Sequence, residues 1–169
     1  MLFGCSNQLA EQKSAGEFTG VPMIEILNAR EVEGVLTGGT PSDEQLRQAK
    51  AVGYRAVIDL RSAKEAGAAP TLALARSLGM TAISIPVDGP RGVTEENARA
   101  LARELAVADN LPVIIFCVSG NRAGALLALK TFYVDGKGAA ESLEFGVRAG
   151  LTGLEPFVRK MLQAAPPPK

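Results

Sequence analysis

Pro112-Val113-Ile114-Ile115-Phe116-Cys117-Val118-Ser119-Gly120-Asn121-Arg122-Ala123-Gly124 is the stretch from which this chain is best read. Its first part, β-branched and aromatic without a charge, has the pattern of a strand buried on both faces. A short polar loop with one glycine follows. The run from Ala123 to Leu129 is then almost wholly apolar, which predicts a helix covered on most sides. Cys117 ends the strand and Arg122 stands where the helix begins. A tight loop in that place can aim several consecutive backbone N–H groups at one point. The helix N-terminus adds its positive dipole end. Arg122 adds a planar, permanently charged fork suited to two oxygens of an oxyanion. Gly120 lets the loop close tightly. In that field the Cys117 sulfur is favoured as a thiolate nucleophile. A plain core cysteine beside a surface arginine is the competing reading, but it leaves the ordered combination unexplained.

Working outward, β-rich runs alternate with helical ones. Met23 to Leu27 and Val35 to Thr37 read as short entry strands. Ser42-Asp43-Glu44-Gln45 is a capping-box sequence, and the helix it starts should stop at Gly53. Ala56 to Leu60 reads as a buried strand, residues 71–78 as a helix, and Ala82 to Ile85 as a further strand. Thr94 caps a helix whose Ala98, Leu101, Ala102 and Leu105 share one face. Two closing helices are expected around Leu143 and Val147, and around Leu154, Phe157 and Met161. Alternation of this kind predicts an α/β domain with at least part of its sheet parallel.

The chain has 169 residues, one domain's worth of polypeptide. Eighteen basic residues balance eighteen acidic ones, and aromatics make up 5% with no Trp. Neither a counterion-releasing nucleic-acid surface nor a base-stacking platform fits that composition. There is no histidine, which removes Ser-His-Asp triads, Cys-His dyads and His-containing zinc sites. The two cysteines, Cys5 and Cys117, are too few for a disulfide framework or an all-cysteine metal site. No metal or organic cofactor is implied, and no apolar run has the roughly 20 residues of a membrane helix.

Cys117-Val118-Ser119-Gly120-Asn121-Arg122 resembles the signature loop shared by cysteine-dependent phosphatases of the protein-tyrosine/dual-specificity superfamily and by rhodaneses. Gly38-Gly39-Thr40-Pro41-Ser42, the run from Gly53 to Arg61, Ile85-Pro86-Val87-Asp88 and the Cys117 loop follow in the order of the beta-lactamase-hydrolase-like phosphatase domain. The stretch from Ala149 to Glu155 is also similar. The resemblance implies a three-layer (α/β/α) phosphatase-like fold with a four- or five-stranded, largely parallel sheet and the site at the strand ending in Phe116. It also implies a two-step mechanism. Cys117 attacks phosphorus, Arg122 and the amides of Val118 to Arg122 hold the oxygens, and Asp88 serves as general acid and then base. Glu95 or Glu96 is the other candidate acid, and Asp88 also suits a plain turn. Asp59 and Arg61 are expected to form a structural pair. The implied substrate is a phosphorylated small molecule or a phosphoprotein.

Three departures keep other readings open: Phe116 where most tyrosine phosphatases have His, Ala123 where many have Ser or Thr, and four residues between Cys117 and Arg122 where the common phosphatase loop has five. The shorter ring suits a rhodanese-like sulfurtransferase working through a Cys117 persulfide. Loss of both assisting groups suits an anion- or phosphoprotein-binding module. At the N-terminus, Leu2-Phe3-Gly4-Cys5 resembles a bacterial lipobox. That would make Cys5 a lipid anchor, residues 1–20 a tether and the cell envelope or periplasm the location, although the stretch lacks the basic and apolar regions of a signal peptide. An incidental cysteine on a cytoplasmic terminus is the alternative. The domain is expected over residues 21–163, with a proline-rich tail over 164–169.

Overall fold

The computed structural model describes residues 20–166. Nearly all of the expected tether, Cys5 included, and residues 167–169 of the tail lie outside the described residues. Five strands, β1 (Arg30–Val32), β2 (Val35–Gly38), β3 (Ala56–Asp59), β4 (Thr81–Ser84) and β5 (Val113–Phe116), form one sheet in the order β1-β2-β5-β3-β4. All neighbours run parallel except β1, which returns antiparallel on β2. The β1–β2 turn is two residues, Glu33 and Gly34, with φ of 48° and 77°, the positive pair that short hairpins require. β5 is central, as its composition predicts. Its Phe116 lies level with Gly38 of β2 and Asp59 of β3, so Cys117 leaves the sheet between two other strand ends.

The period-2 alternation of β5 explains the layers. Val113 and Ile115 face one core, shared with α3 (Glu95–Leu105), α4 (Asn121–Tyr133), α5 (Ala139–Arg148) and α6 (Glu155–Ala164). Ile114 and Phe116 face the other, shared with α1 (Asp43–Val52) and α2 (Ala68–Ser77). With helices on both faces, the architecture is a three-layer α/β/α sandwich. Cys117 continues the alternation into the first core.

Local signals worked where they are self-contained. Ser42 and Gln45 make both hydrogen bonds of the capping box, and Gly53 ends α1 at φ 110°. Thr94 accepts the Asn97 amide at 3.2 Å at the start of α3. Two expectations need correction. Helix α2 begins at Ala68 rather than 71, because Pro70 falls in its first turn, where a missing N–H costs no hydrogen bond. Met23 to Leu27 is not a strand. Its alternation is genuine, with Ile24 and Ile26 buried in the second core and Met23 and Leu27 exposed. However, β1 and β5 already occupy both edges of β2, so the segment packs without a ladder.

Helix α4 approaches α5 and the following turn closely enough to exclude a side chain at Gly124. A Cβ there would lie 2.1 Å from the Leu151 nitrogen and 2.7 Å from the Gly146 oxygen, both backbone atoms. In an open helix Gly→Ala gains about 1 kcal/mol. Here overpacking reverses the sign, and Gly124→Ala is expected to lose about 1–3 kcal/mol. Urea unfolding checks this, and a midpoint at or above the parent's contradicts the packing.

Candidate functional site

The loop after β5 lies against the glycine pair that ends β2. The Cys117 amide donates to the Gly38 oxygen at 3.3 Å, and the Cys117 carbonyl accepts from Thr40 Oγ1 at 2.9 Å. Ser119 bridges to Gly39, and its carbonyl accepts from Asn28 Nδ2 at 3.1 Å. Side chains would not fit this approach. A Cβ on Gly39 would stand 2.8 Å from the Val118 oxygen, and one on Gly120 3.2 Å from the Gly38 Cα. Gly120 also holds φ 89° as the N-cap of α4 and supplies no side-chain cap. The first-turn amides of Asn121, Arg122 and Ala123 therefore have neither an intrahelical acceptor nor a capping one. Asn121 turns its side chain away, its Oδ1 accepting from the Thr152 and Leu154 amides at 2.9 and 3.3 Å. That ties the loop to the segment after α5.

Cys117 is only 1% exposed, yet its sulfur is not in purely oily surroundings. The Gly120 amide donates to Sγ at 3.2 Å. The Arg122 guanidinium is a neighbour of that sulfur but makes no hydrogen bond to it. Sulfur, amide and guanidinium thus converge at the C-terminal edge of the central strand.

Arg122 is held by a group that the sequence reading missed. Its Nη1 and Nη2 donate to Glu65 Oε1 and Oε2 at 2.7 and 2.8 Å, a two-pronged pair. Nη1 also reaches the Val87 carbonyl at 3.0 Å. Of the five guanidinium N–H groups, the Nε–H and the second Nη2–H have no oxygen acceptor among the described residues. They form one straight edge of the fork, left free for an anion. The Glu65 hydrogen bonds raise the guanidinium above its ordinary value; burial opposes this, and the neighbouring Cys117 adds to it. The same hydrogen bonds are the main reason that the Glu65 carboxyl falls to about 2, against the opposing effect of burial. The Ser62 amide, donating to Glu65 Oε1 at 2.8 Å, assists. The one sequence signal was Ser62-Ala63-Lys64-Glu65, a capping-box pattern. It reports a local turn and says nothing of a partner 57 residues away.

Asp59 and Arg61 form the expected pair, fully buried, with Arg61 Nη2 at 2.7 Å from Asp59 Oδ2. Asp88 follows Val87, whose carbonyl touches Arg122, so its backbone borders the site. Its carboxylate is 76% exposed and meets Arg91 at 3.2 Å, not the loop. Glu95 is drawn elsewhere, pairing with Arg99 at 2.8 Å and raising Tyr133 after burial has done so. Glu96 makes no hydrogen bond or ion pair with the loop among the described residues. Val118, Ser119, Gly120 and Asn121 form the rim, with Val118 exposed. No cluster of metal-ligating residues occurs among the described residues, and no helix there is long and apolar enough to cross a membrane.

The chain matches the family described as "PTP-NADK: DSP-PTPase phosphatase fused to NAD+ Kinase" over residues 19–149. No curated protein matches it. Among solved structures, a DUF442 protein of Shewanella putrefaciens CN-32 is similar at 18% identity and TM-score 0.60, covering 89% of this chain and 97% of that one. The core catalytic domain of the PP-IP phosphatase SIW14 from S. cerevisiae, in complex with citrate, has 16% identity and TM-score 0.58, with 83% and 88% covered. P. aeruginosa TpbA in complex with pTyr has 15% identity and TM-score 0.52, with 81% and 96% covered. At these identities the likeness is one of fold, and it agrees with the family match and with a sulfur, a helix N-terminus and an arginine meeting at one strand end. The chain belongs to the PTP-NADK family, and through it to the cysteine-dependent protein-tyrosine/dual-specificity phosphatase superfamily.

Proposed function

We propose that the protein hydrolyses phosphomonoesters through a phosphocysteine, as a phosphatase of the tyrosine/dual-specificity type and the beta-lactamase-hydrolase-like branch. The observation that carries this is the free Nε/Nη2 edge of Arg122 beside a sulfur that already accepts the Gly120 amide. The phosphoryl oxygens would take that edge and the first-turn amides of α4. The Cys117 thiolate attacks phosphorus, an S–P bond forms, the P–O bond to the leaving group breaks, and Asp88 gives that oxygen its proton. Water then attacks the phosphocysteine, Asp88 takes the water proton, and the thiolate leaves. The loop that carries Asp88 borders Arg122 through the Val87 carbonyl, which supports this role. Its carboxylate must swing inward when substrate binds, as mobile acid loops do. A phosphorylated small molecule or phosphoprotein is the substrate class, in keeping with the phosphotyrosine held by the similarly folded TpbA.

The four-residue spacing of Cys117 and Arg122 favours one second reading, a sulfurtransferase that carries sulfane sulfur as a Cys117 persulfide. Paired assays separate the two. With p-nitrophenyl phosphate, Cys117→Ser is expected to abolish release, and Asp88→Asn to lower kcat about 10²-fold or more, the usual worth of a general acid. With thiosulfate and cyanide, no thiocyanate is expected. Thiocyanate formation insensitive to Asp88→Asn, without phosphate release, replaces the hydrolase by the transferase. Phosphate binding with neither turnover leaves a binding module.

Glu65 supplies a pH test. Its folded value of about 2 lies below the ordinary 4.5. The ion pair with Arg122 therefore stabilises the fold fully above about pH 4.5 and loses its effect as pH falls toward 2. The stability gap between the parent and Glu65→Gln should be constant above pH 5 and shrink below it, as followed by urea unfolding across pH 2–7. A gap that does not change with pH contradicts the pairing.

A further inference from the structure

Arg61 lies under the site without touching its sulfur, and its hydrogen bonds run to the turn that carries Glu65. Its Nε donates to Asp59 Oδ1 and Oδ2 at 3.0 and 3.2 Å, and its Nη2 to Oδ2 at 2.7 Å. The remaining donors cross the turn, Nη1 to the Ala66 oxygen at 3.1 Å and Nη2 to the Gly67 oxygen at 3.4 Å. Ala66 is the residue next to Glu65. On the near side, the Arg61 amide donates to Asp59 Oδ1 at 2.9 Å. That contact sets the peptide of Leu60, whose carbonyl faces Arg122 Nη1 at 3.4 Å and accepts the Val87 amide at 3.0 Å. The guanidinium also sits 5.3 Å from the ring centre of Phe116, the residue before Cys117.

We infer that the buried Asp59–Arg61 pair is a positioning device for Arg122, acting through the 62–67 turn and Glu65 to fix which edge of the guanidinium is offered to an anion. Stability alone is a poor reason for the pair, because burying two charges costs about what their attraction returns, and apolar replacements are often neutral or better. Its geometry is that of a staple. One end is the last residue of β3, the other is two carbonyls beyond Glu65, and Leu60 and Glu65, lying between them, both face Arg122. A guanidinium is needed because a single ammonium cannot reach Asp59, Ala66 and Gly67 together.

The inference rests on the oxyanion role of Arg122, so its test reads binding and side-chain motion as well as turnover. Asp59→Asn with Arg61→Met removes both charges and keeps an acceptor for the Arg61-position amide. This variant is expected to stay folded, with a thermal midpoint close to the parent's, while its Kd for inorganic phosphate rises about tenfold. Combined with Glu65→Gln, it should add little to the loss that Glu65→Gln causes alone, because both act on one path. Wild-type phosphate affinity, or losses that add in full, overturns the inference. If the double substitution does not fold, Arg61→Lys takes its place, keeping a charge for Asp59; parent-like affinity in that protein overturns the inference equally. The 15N-NMR signals of Arg122 give a reading that is independent of phosphate. Slowed Nη rotation in the parent that becomes free in the variant supports the device, and rotation that is the same in both overturns it. A parent that neither binds inorganic phosphate nor hydrolyses p-nitrophenyl phosphate overturns the oxyanion reading, while the NMR comparison still decides the positioning role.

Discussion

An arginine beside a buried sulfur is useful for chemistry only if its fork points one way. Free guanidinium groups rotate and solvate; Arg122 can do neither, because Glu65 takes one hydrogen from each terminal nitrogen and the Val87 carbonyl takes another. Those three hydrogen bonds draw on separate parts of the sheet edge: the loop after β3, the loop after β4 and the helix after β5. The site is therefore assembled only when β3, β4 and β5 are in register, and that register, from Ala56 level with Val113 to Asp59 level with Phe116, is what the core on each face enforces. Site and fold share one constraint, and it is the direction of a guanidinium.

Much of this was legible from the chain. The run from Val113 to Phe116 marked the central strand, and Ser42 and Gly53 marked the ends of a helix. The order of Cys117, Gly120 and Arg122 marked a strand-loop-helix that brings a sulfur, a helix N-terminus and an arginine to one place. These are short-range signals, set by alternation, caps and turns within a few residues. What could not be read depends on tertiary pairing. Glu65 carries no signal of such pairing, because nothing within four residues of it identifies an arginine 57 positions away as its partner. The segment from Met23 to Leu27 alternates like a strand and is buried like one, but it packs against β2, which already has a partner on each edge, and that is a property of the sheet. The carboxylate of Asp88 illustrates the reverse case. Its place in the order of motifs was readable, while its outward pairing with Arg91 was not.

The departures from the common phosphatase loop take on a different weight once the side chains are placed. Position 116 projects into the core opposite Cys117, where Phe116 packs in the second cluster with Arg61 over its ring. Replacing a histidine there removes no group that could touch the sulfur directly; any influence passes through the strand backbone and the pair beneath it. Ala123 is fully buried in the first core, on the same side as the sulfur. A hydroxyl at that position would need a partner in an apolar wall or would turn to the sulfur. Without it, the donor in place at the sulfur is the Gly120 amide, 3.2 Å from Sγ, with the Arg122 guanidinium as a charged neighbour. In the proposed hydrolase, leaving-group help for the thiolate thus comes from main chain and arginine alone. That makes the left-handed conformation of Gly120, which aims the amide at the sulfur, a chemical requirement as well as a steric one.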